Sequence, residues 1–204
     1  MGIYQRYVLP RVIHLAMRNK TAREERARFV PLASGNVLEV GIGSGLNLPY
    51  YTRDVEKVVG IDPSLELWRM AQRRAAQTPF PVEFLGRSAE SIPAADRTFD
   101  TVVTTWTLCS IADPPRALAE MRRLLRPEGR LIFVEHGRSP DERVAAWQDR
   151  LTPVWRRLGG GCHLNRQIDD LLRGAGFGIA QMETGYSKGA KALAFLYKGV
   201  AQPA

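Results

Sequence analysis

Apolar positions along the chain follow two different periods. Short runs rich in β-branched residues, such as "NVLEV" and "FDTVVTTW", are typical of buried strands, whereas "SLELWRMAQRRAAQ" repeats apolar residues at helical spacing. Strand-like runs alternate with amphipathic stretches, and this order favours an α/β domain with a mostly parallel sheet. Neither an internal repeat nor a linker divides the 204 residues, so we expect one domain over residues 1–204.

The same pattern gives the bounds of the main elements. We predict strands over residues 36–40, 58–61, 82–86, 99–106, 130–136, 177–183 and 191–200. Side chains that accept hydrogen bonds from the first turn of a helix mark helix starts. We expect capping boxes at Thr21 with Glu24 and at Ser139 with Glu142, and single caps at Ser64, Asp113 and Asn165. The helix after Ser64 should bury Leu65, Trp68 and Ala71.

Residues 139–163 are a candidate lid over an acceptor substrate. Apolar side chains recur there at helical spacing, at Val144, Trp147, Leu151, Val154, Trp155 and Leu158. The stripe favours a helix face packed in the core. The alternative is an acceptor lid in which Trp147 and Trp155 wall an apolar pocket.

The N-terminal helices, within residues 1–33, are a second candidate lid. A helix predicted over residues 10–19 is apolar on one side and carries Arg11 and Arg18, with Lys20 just after it. A basic, apolar helix can lie on anionic lipid, so peripheral membrane contact is the alternative for this segment.

The stretch "VLEVGIGSG" places Gly41, Gly43 and Gly45 directly after the first predicted strand. A glycine turn between a strand and a helix presents bare backbone amides to a ligand. The dinucleotide pattern GxGxxG fails by one residue because its third glycine would fall at Leu46. The P-loop pattern fails because it needs a Gly-Lys-Ser/Thr ending. The turn is therefore a candidate ligand site, with a purely structural turn as the alternative.

Two later segments strengthen the ligand interpretation. Asp62 ends the second predicted strand in "GIDPS", where a carboxylate can accept both hydroxyls of a ribose. Its alternative role is to cap the next helix. The segment "GRSAES", residues 86–91, follows the third strand, and its small residues leave room for a flat base. Its alternative is an ordinary turn.

Composition narrows the class of partner. The net charge is +8, yet the arginines are scattered and do not alternate with aromatic residues, so we expect no nucleic-acid partner. No apolar run reaches the length of a membrane span and the N-terminus is a poor signal peptide, so we expect a cytoplasmic protein. Cys109 and Cys162 lack metal-ligand spacing and the three histidines form no constellation, so we expect no metal.

The segments "VLEVGIGSG", "GIDPS", "AESIPAADRTFDTVV" and "RLLRPEGRLIFVEH" resemble, in order, the motifs of class I S-adenosylmethionine-dependent methyltransferases. Within that superfamily, "TLCSI", "VEHG", "LTPVW" and "GCHLNR" are similar to the methyltransferase-like protein seven group of thiol methyltransferases and its bacterial relatives, many of which are labelled phospholipid methyltransferases. The resemblance implies a Rossmann-like, seven-stranded, mostly parallel sheet flanked by helices, with the last strand antiparallel.

The resemblance also implies which residues bind S-adenosyl-L-methionine. The glycines would approach its methionine part, Asp62 its ribose, and Thr105 and Trp106 its sulfonium. Ser88, Ala89 and Glu90 would lie by the adenine, and Pro63 follows Asp62 at the same edge. We hypothesise that Glu39, the acid before the glycines, orients the loop or the amino group of the cofactor.

A sulfonium methyl is already activated, so the protein needs mainly to align an acceptor and exclude water. His136 ends the fifth predicted strand and is the best candidate base, because an imidazole pKa near 6.5 suits proton acceptance at neutral pH. Its alternative role is structural. His163 is a weaker candidate base, and Cys109 follows the fourth strand, where it can line the acceptor pocket together with His163.

The resemblance, together with these residues, implies an S-adenosylmethionine-dependent methyltransferase acting on a small lipophilic acceptor, first of all a thiol. A phospholipid amine, as in phosphatidylethanolamine, or a quinol is the alternative acceptor. A dinucleotide-dependent oxidoreductase is the alternative from another class, and the glycine spacing counts against it. The sequence leaves the oligomeric state open.

Overall fold

A seven-stranded sheet forms the centre of the computed structural model, which describes residues 4–204. The first three residues of the predicted N-terminal region lie outside that range. The strands are β1 (Gly35–Val40), β2 (Val55–Ile61), β3 (Val82–Leu85), β4 (Phe99–Thr105), β5 (Leu125–His136), β6 (Phe177–Tyr186) and β7 (Phe195–Pro203).

Helices connect and flank these strands. They are α1 (Leu9–Ala16), α2 (Lys20–Phe29), α3 (Leu65–Ala75), α4 (Pro114–Leu124), α5 (Glu142–Leu158), α6 (Ile168–Gly174) and α7 (Lys191–Ala194). Short 3₁₀ turns cover Val30–Leu32 and Leu48–Tyr50, and a π-helical turn covers Tyr4–Val8.

The strand order is β3-β2-β1-β4-β5-β7-β6. The first five strands are parallel, whereas β7 runs antiparallel to both β5 and β6. The predicted fold class, including the antiparallel last strand, is confirmed. The order reverses between β1 and β4, and ligands of open parallel sheets bind at such a reversal, outside the carboxyl ends of the strands.

Alternate residues along the strands pack into two hydrophobic cores, one on each face of the sheet. Leu38 and Phe133 belong to the larger core, whereas Val37 and Ile132 belong to the core on the opposite face. All four side chains are fully buried. Because both faces are covered, the strands have little freedom to shift, and the edge formed by their carboxyl ends is held in place.

The predicted caps at Ser64 and Asp113 are confirmed, because each side chain accepts a hydrogen bond from the first turn of its helix. Three other predicted caps are wrong. Asn19, not Thr21, caps α2 by accepting from the Ala22 amide at 2.8 Å. Asp141, not Ser139, caps α5. Asn165 instead donates to Asp149, and α6 begins later, at Ile168.

One expectation about packing is also wrong. The apolar stripe of α5 is not core, because Trp147, Val154 and Leu158 are each more than half exposed, while the buried positions are Ala145, Gln148 and Thr152. Gln148 is buried because its side chain bonds backbone groups of Ser139 and Gly137.

The other departures are smaller. On α3, Ala71 is buried as predicted, Trp68 is half-buried and stacks on Phe84, and Leu65 is exposed, with Leu67 taking its place inside. The last predicted strand begins late, because α7 covers its first four residues.

Candidate cofactor and acceptor site

The glycine turn after β1 uses its three glycines for two different reasons. All three have positive φ, at 77° for Gly41, 53° for Gly43 and 72° for Gly45. A Cβ on Gly41 would lie 2.1 Å from Thr107 Oγ1, and a Cβ on Gly45 would lie 2.9 Å from Leu48 Cδ1.

The first and third glycines are therefore required by the packing of the protein itself. Gly43 differs, because the nearest atom to a Cβ there is 3.8 Å away. Its surroundings leave space in which a ligand can approach the backbone. Gly43 is thus the position at which the bare backbone is available to a cofactor.

Asp62 lies at the carboxyl end of β2, directly beside Gly43. Its carboxylate accepts from the Gly43 amide at 3.1 Å and from the Ser64 amide at 2.7 Å. The side chain is buried, and this burial raises its pKa to about 6. Pro63, the next residue, is exposed at the same edge. Asp62 therefore joins the glycine turn to the start of α3 and keeps lone pairs for further donors.

Glu39 is buried on β1, two residues before Gly41. Its Oε1 accepts from Asn47 Nδ2 at 3.0 Å, and its Oε2 accepts from the Tyr51 hydroxyl at 2.9 Å. Burial raises the pKa of Glu39 to about 7. Both partners follow the glycine turn in sequence, so Glu39 ties the exit of that turn back to β1.

Arg26 extends this network toward β4. Its Nε donates to Asn47 Oδ1 at 2.9 Å, and its guanidinium lies 5.0 Å from the centre of the Trp106 ring. Burial lowers the pKa of Arg26 to about 10. Thr105 Oγ1 accepts from Asn47 Nδ2 at 3.0 Å, so the ends of β1 and β4 share one polar cluster.

Trp106 has a backbone that few non-glycine residues adopt, with φ of 52°. Its amide donates to the Val134 carbonyl of β5 at 2.7 Å, which holds the unusual turn in place. Left-handed backbone at a bulky residue costs free energy and persists where the surroundings enforce it. The turn redirects the chain at the end of β4, next to the glycine turn.

The predicted adenine segment lies after β3. Ala89 is buried and Ser88 is exposed. Ser88 lines an open cavity of about 290 Å³ together with Arg87, Ser91 and Pro93. Glu90 Oε1 accepts from the Asp113 amide at 3.3 Å, which ties this segment to the start of α4.

A second cluster lies at the ends of β4 and β5. Potential ligand atoms of Cys109, His136 and Cys162 all lie within 4.8 Å of one another. Both cysteines are buried and His136 is half-buried. The sulfur of Cys162 and then burial raise the pKa of Cys109, whereas hydrogen bonding from Cys109 lowers the pKa of Cys162. The fold thus brings together two cysteines and one histidine that their spacing in the sequence did not connect, and the expected absence of a metal stays a prediction.

Glu135 fixes the loop that carries Cys109. Its carboxylate accepts from the amides of Thr107 at 3.0 Å and Cys109 at 3.3 Å, and from the Thr104 hydroxyl at 2.8 Å. Burial raises its pKa. The buried acid thus holds the loop after β4 by two hydrogen bonds and the end of β4 by a third.

The remaining predicted pocket residues do not all lie at this cluster. Trp155 is half-buried and packs on the small core of Cys109, Cys162 and Leu164. The His163 amide donates to the Cys109 carbonyl at 2.7 Å, so His163 also lies at this cluster. Trp147 is 58% exposed, with the Arg150 guanidinium 5.7 Å from its ring centre. Trp147 therefore walls no pocket, which corrects the expectation that it pairs with Trp155.

The N-terminal helix α1 reaches the glycine turn. His14 Nδ1 lies 2.8 Å from Ser44 Oγ, and burial lowers the pKa of His14. The preceding residue of α1, Ile13, lies close to Gly160, because a Cβ on that glycine would be 3.1 Å from Ile13 Cδ1. Helix α1 thus contacts both the cofactor turn and the chain just after α5.

On the cofactor side, three residues of the site escaped the sequence analysis. Asn47 and Tyr51 lie in "NLPYY", directly after the glycine stretch, and their position next to that motif was the signal that could have identified them. Arg26 carries no such signal, because it is one of several arginines in α2 and only the fold brings it to Asn47.

Comparison with known proteins agrees with this geometry. The family described as a methyltransferase domain matches residues 38–133. The thiol S-methyltransferase TMT1B of Rattus norvegicus is 34% identical over 153 residues, which are 72% of this chain and 62% of the rat protein. The phosphatidylethanolamine N-methyltransferase of Cereibacter sphaeroides is 34% identical over 69% of this chain and 70% of its own length.

A solved structure of an S-adenosylmethionine-dependent methyltransferase from Methanosarcina mazei superimposes with a TM-score of 0.67. The two sequences are 24% identical, and the superposition covers 82% of this chain and 92% of the Methanosarcina chain, so it supports the fold. The sheet order, the glycine turn and the acid after β2 define a methyltransferase of the Rossmann-like type. The chain belongs to the S-adenosylmethionine-dependent methyltransferases.

The residues present fit the S-adenosylmethionine that this family uses. The open space at Gly43 would be filled by a Cβ, and the buried Asp62 carboxylate beside it retains acceptor capacity for the ribose hydroxyls. The relationship to membranes is a separate question. Within residues 4–204, no helix has both the length and the apolar character needed to cross a bilayer.

Proposed function

We propose that this enzyme methylates a small lipophilic thiol. The cluster of Cys109, His136 and Cys162 carries the proposal, because it joins the loop after β4 to the end of β5, and Thr105 and Trp106 at the end of β4 are the predicted methyl position. The similarity to a thiol S-methyltransferase supports it. That relative is matched over less than two thirds of its length, so its activity comes to this chain as a proposal.

On the cofactor side, the chain acts by holding and orienting. Bound S-adenosylmethionine would supply a methyl group on a positively charged sulfur. Asp62 accepts from the ribose, the Gly43 amide region takes the amino-acid part, and Ser88, Ala89 and Glu90 lie by the adenine. Arg26 and Glu39 are linked through Asn47 and form the polar end of the site.

On the acceptor side, the chain positions a sulfur lone pair in line with the bond that breaks. Such positioning can lower a barrier by about 7–11 kcal/mol in favourable cases. A thiol of pKa near 8.5 is only a few per cent ionised at neutral pH, so removal of its proton accelerates the reaction. His136, half-buried at the end of β5, is the group placed to promote that ionisation.

A phospholipid amine is the second candidate acceptor, favoured by the similarity to a phosphatidylethanolamine N-methyltransferase. An amine is largely protonated at neutral pH and so depends more strongly on a base. Because His136 is only half-buried, a lipid headgroup could reach its imidazole from solvent, as a thiol could.

Transfer of labelled methyl groups to a panel of small thiols, phosphatidylethanolamine vesicles, quinols and amines tests the proposal, with Asp62→Ala as the inactive control. We expect lipophilic thiols to accept methyl groups and polar thiols such as glutathione to accept few. Methylation of phosphatidylethanolamine or a quinol with no methylation of any thiol would replace the thiol assignment.

We also propose that the protein works in the cytoplasm and contacts anionic membranes through α1 and α5. The π-helical turn just before α1 meets the end of α5, since the Tyr4 hydroxyl donates to the Leu158 carbonyl at 3.4 Å. The exposed apolar side chains of α1 and α5 are Val12, Leu15, Trp147, Leu151, Val154 and Leu158. Exposed arginines accompany them at positions 11, 143, 150, 156 and 157. Apolar side chains edged by arginines suit the surface of a negatively charged bilayer.

Flotation with phosphatidylglycerol-containing vesicles, against pure phosphatidylcholine, tests the membrane contact. We expect the wild-type protein to float with anionic vesicles and Trp147→Ser with Leu158→Ser to abolish flotation. Leu65→Ser is the matched control, because Leu65 is equally exposed on α3. Wild-type protein that stays at the bottom of the gradient would end this part of the proposal.

A further inference from the structure

We propose that Cys109, His136 and Cys162 bind one Zn²⁺ ion and that the sulfur of the acceptor thiol is its fourth ligand. The inference rests on the proposed thiol acceptor and specifies how that acceptor is ionised. Ligation to zinc replaces direct proton acceptance by His136, which then acts as a metal ligand.

The donor set is one that zinc uses. Two thiolates and one imidazole, with a fourth position left for water or substrate, form a known arrangement of catalytic zinc. Zn–S distances of about 2.3 Å and tetrahedral angles place ligand atoms about 3.8 Å apart. The three ligand atoms here lie within 4.8 Å of one another, so a closure of about 1 Å by side-chain rotation brings them to zinc geometry.

The surroundings of the cluster hold its ligands in place. The Cys109 amide donates to Glu135, and the Cys109 carbonyl accepts from the His163 amide, so the loops that carry the two cysteines are joined. The Arg166 guanidinium donates to the carbonyls of Leu108 and Ile111 on the same loop. A metal site built on loops needs this kind of support from neighbouring groups.

The charges near the cluster also favour bound thiolates. Trp155 packs on the two cysteines, and the Arg166 guanidinium is held on the neighbouring loop by the carbonyls of Leu108 and Ile111. Groups around the ligands orient them and tune a bound metal. The two cysteine thiolates would neutralise Zn²⁺, and Arg166 would offset the charge of the acceptor thiolate.

Access to the cluster is on the side of His136. Both cysteines are buried while His136 is half-buried, so a metal ion or a thiol reaches the cluster past the imidazole. His136 ends β5 and is paired with Leu196 on β7, which fixes its backbone. The neighbouring strand β4 ends at Thr105, so the fourth zinc position and the predicted methyl position lie at the same sheet edge.

The chemical step balances without an oxidant or reductant. Zinc binding lowers the pKa of the acceptor thiol, and the proton leaves to solvent. The sulfur lone pair forms the new carbon–sulfur bond to the methyl group, and the bonding pair of the old bond stays with the sulfur of the donor. Zinc keeps its oxidation state and releases the thioether, which is a weaker ligand than a thiolate.

Metal content of the full chain is the first test. Protein prepared with a phosphine reductant and no added thiol is incubated with Zn²⁺, desalted and measured by atomic spectroscopy. We expect one zinc per chain in the wild type and in His14→Gln, because His14 lies on α1 against the glycine turn and away from the cluster. His136→Gln, Cys162→Ser and Cys109→Ser should lose the zinc. Wild type without zinc, or zinc retained by the cluster variants, would overturn the proposal.

Cobalt substitution tests the fourth ligand and does not depend on turnover. Co²⁺-loaded wild-type protein should show thiolate-to-cobalt absorption and the visible bands of a tetrahedral site, and benzenethiol should shift those bands. Bands that benzenethiol leaves unchanged would overturn the role of the acceptor as ligand. Because this measurement uses the wild-type chain, misfolding of a buried-cysteine variant does not affect it.

Two further outcomes separate this inference from the proposed function. Thiol methylation that is equally fast in zinc-free and zinc-loaded protein would overturn the zinc inference and leave thiol methylation standing. Ready formation of a Cys109–Cys162 disulfide in place of zinc binding, detected by mass spectrometry after alkylation, would overturn it as well. Zinc-loaded protein that methylates only other acceptors would instead refute the proposed thiol function and, with it, the fourth ligand.

Discussion

The carboxyl ends of β1 and β2 and those of β4 and β5 lie at one edge of the sheet, yet the chain builds them differently. The cofactor side comes from two short motifs, and its polar groups are already joined, as in the hydrogen bonds of Asp62 to Gly43 and of Glu39 to Tyr51. The acceptor side combines Cys109, His136 and Cys162 from three distant segments and lies near helices with exposed apolar faces.

This difference follows from what each side must recognise. A cofactor common to a whole family can be held by backbone turns and one acid, and these allow little variation. An acceptor differs between relatives, as the names of a thiol and a phosphatidylethanolamine methyltransferase illustrate. Loops and flanking helices, which tolerate change, are suited to that task.

The largest expected effect comes from replacing His136, which lies on the acceptor side of the site. His136→Ala should lower kcat/KM for the thiol by about 10²–10⁴-fold, the range for loss of a group that ionises the acceptor. The affinity for S-adenosylmethionine, measured by titration calorimetry, should stay unchanged because the cofactor residues do not rely on this imidazole. Unchanged turnover would remove His136 from the mechanism.

The next effect tests whether packing of the protein itself requires Gly41 while Gly43 faces a ligand. Gly41→Ala should destabilise the protein by about 2–5 kcal/mol, because a left-handed backbone costs about 1–2 kcal/mol and overpacking about 1–3. The added Cβ would lie 2.1 Å from Thr107 Oγ1. Urea denaturation measures the change.

Gly43→Ala is the matched control for that experiment. It has open surroundings, so it should destabilise less while weakening cofactor binding. Equal losses of stability in the two variants would contradict the distinction between a packing glycine and a ligand-facing glycine.

Removal of the charge at Asp62 should have a moderate effect, confined to the cofactor side. Asp62→Asn should weaken cofactor binding by roughly 10–150-fold, which corresponds to the loss of charge-assisted hydrogen bonds worth about 1.5–3 kcal/mol. Benzenethiol binding to cobalt-loaded protein should not change. A cofactor affinity equal to that of the wild type would show that the ribose lies elsewhere.

The smallest effect is a dependence on pH. Burial raises the pKa of Asp62 to about 6, so the carboxylate is ionised above that pH and protonated below it. An ionised acid accepts from both ribose hydroxyls, so the dissociation constant should rise as the pH falls below about 6, approaching tenfold per pH unit. Calorimetry from pH 5 to 8 measures this slope, and Asp62→Asn should flatten it.

The sequence predicted that Gly43 and Asp62 meet at one edge of the sheet but did not predict that Cys109, His136 and Cys162 cluster, for a physical reason. That these residues bind the cofactor stays a prediction. Gly41, Gly43 and Asp62 belong to contiguous motifs whose geometry is set by local backbone, so their spacing identifies them. The cluster of Cys109, His136 and Cys162 depends on how β4, β5 and the loop after α5 pack, and no spacing encodes that.

The fold shows the same contrast between local and tertiary information. The sheet follows from the alternation of apolar runs, whereas the burial of α5 could not be read from its stripe. A helix with an apolar stripe can face the core or a partner outside the chain, and here Trp147 and Val154 face outward while Gln148 is buried. The missed caps at Asn19 and Asp141 reflect neighbouring residues competing for one role.

The central claim is that the turn around Gly43 and the acid at Asp62 hold the nucleoside of a methyl donor and not a dinucleotide. Titration calorimetry of the wild-type protein with S-adenosylmethionine and, separately, with NADH tests it most directly. We predict saturable binding of S-adenosylmethionine at one site per chain and no measurable heat with NADH. Tight NADH binding with no S-adenosylmethionine binding would contradict the account.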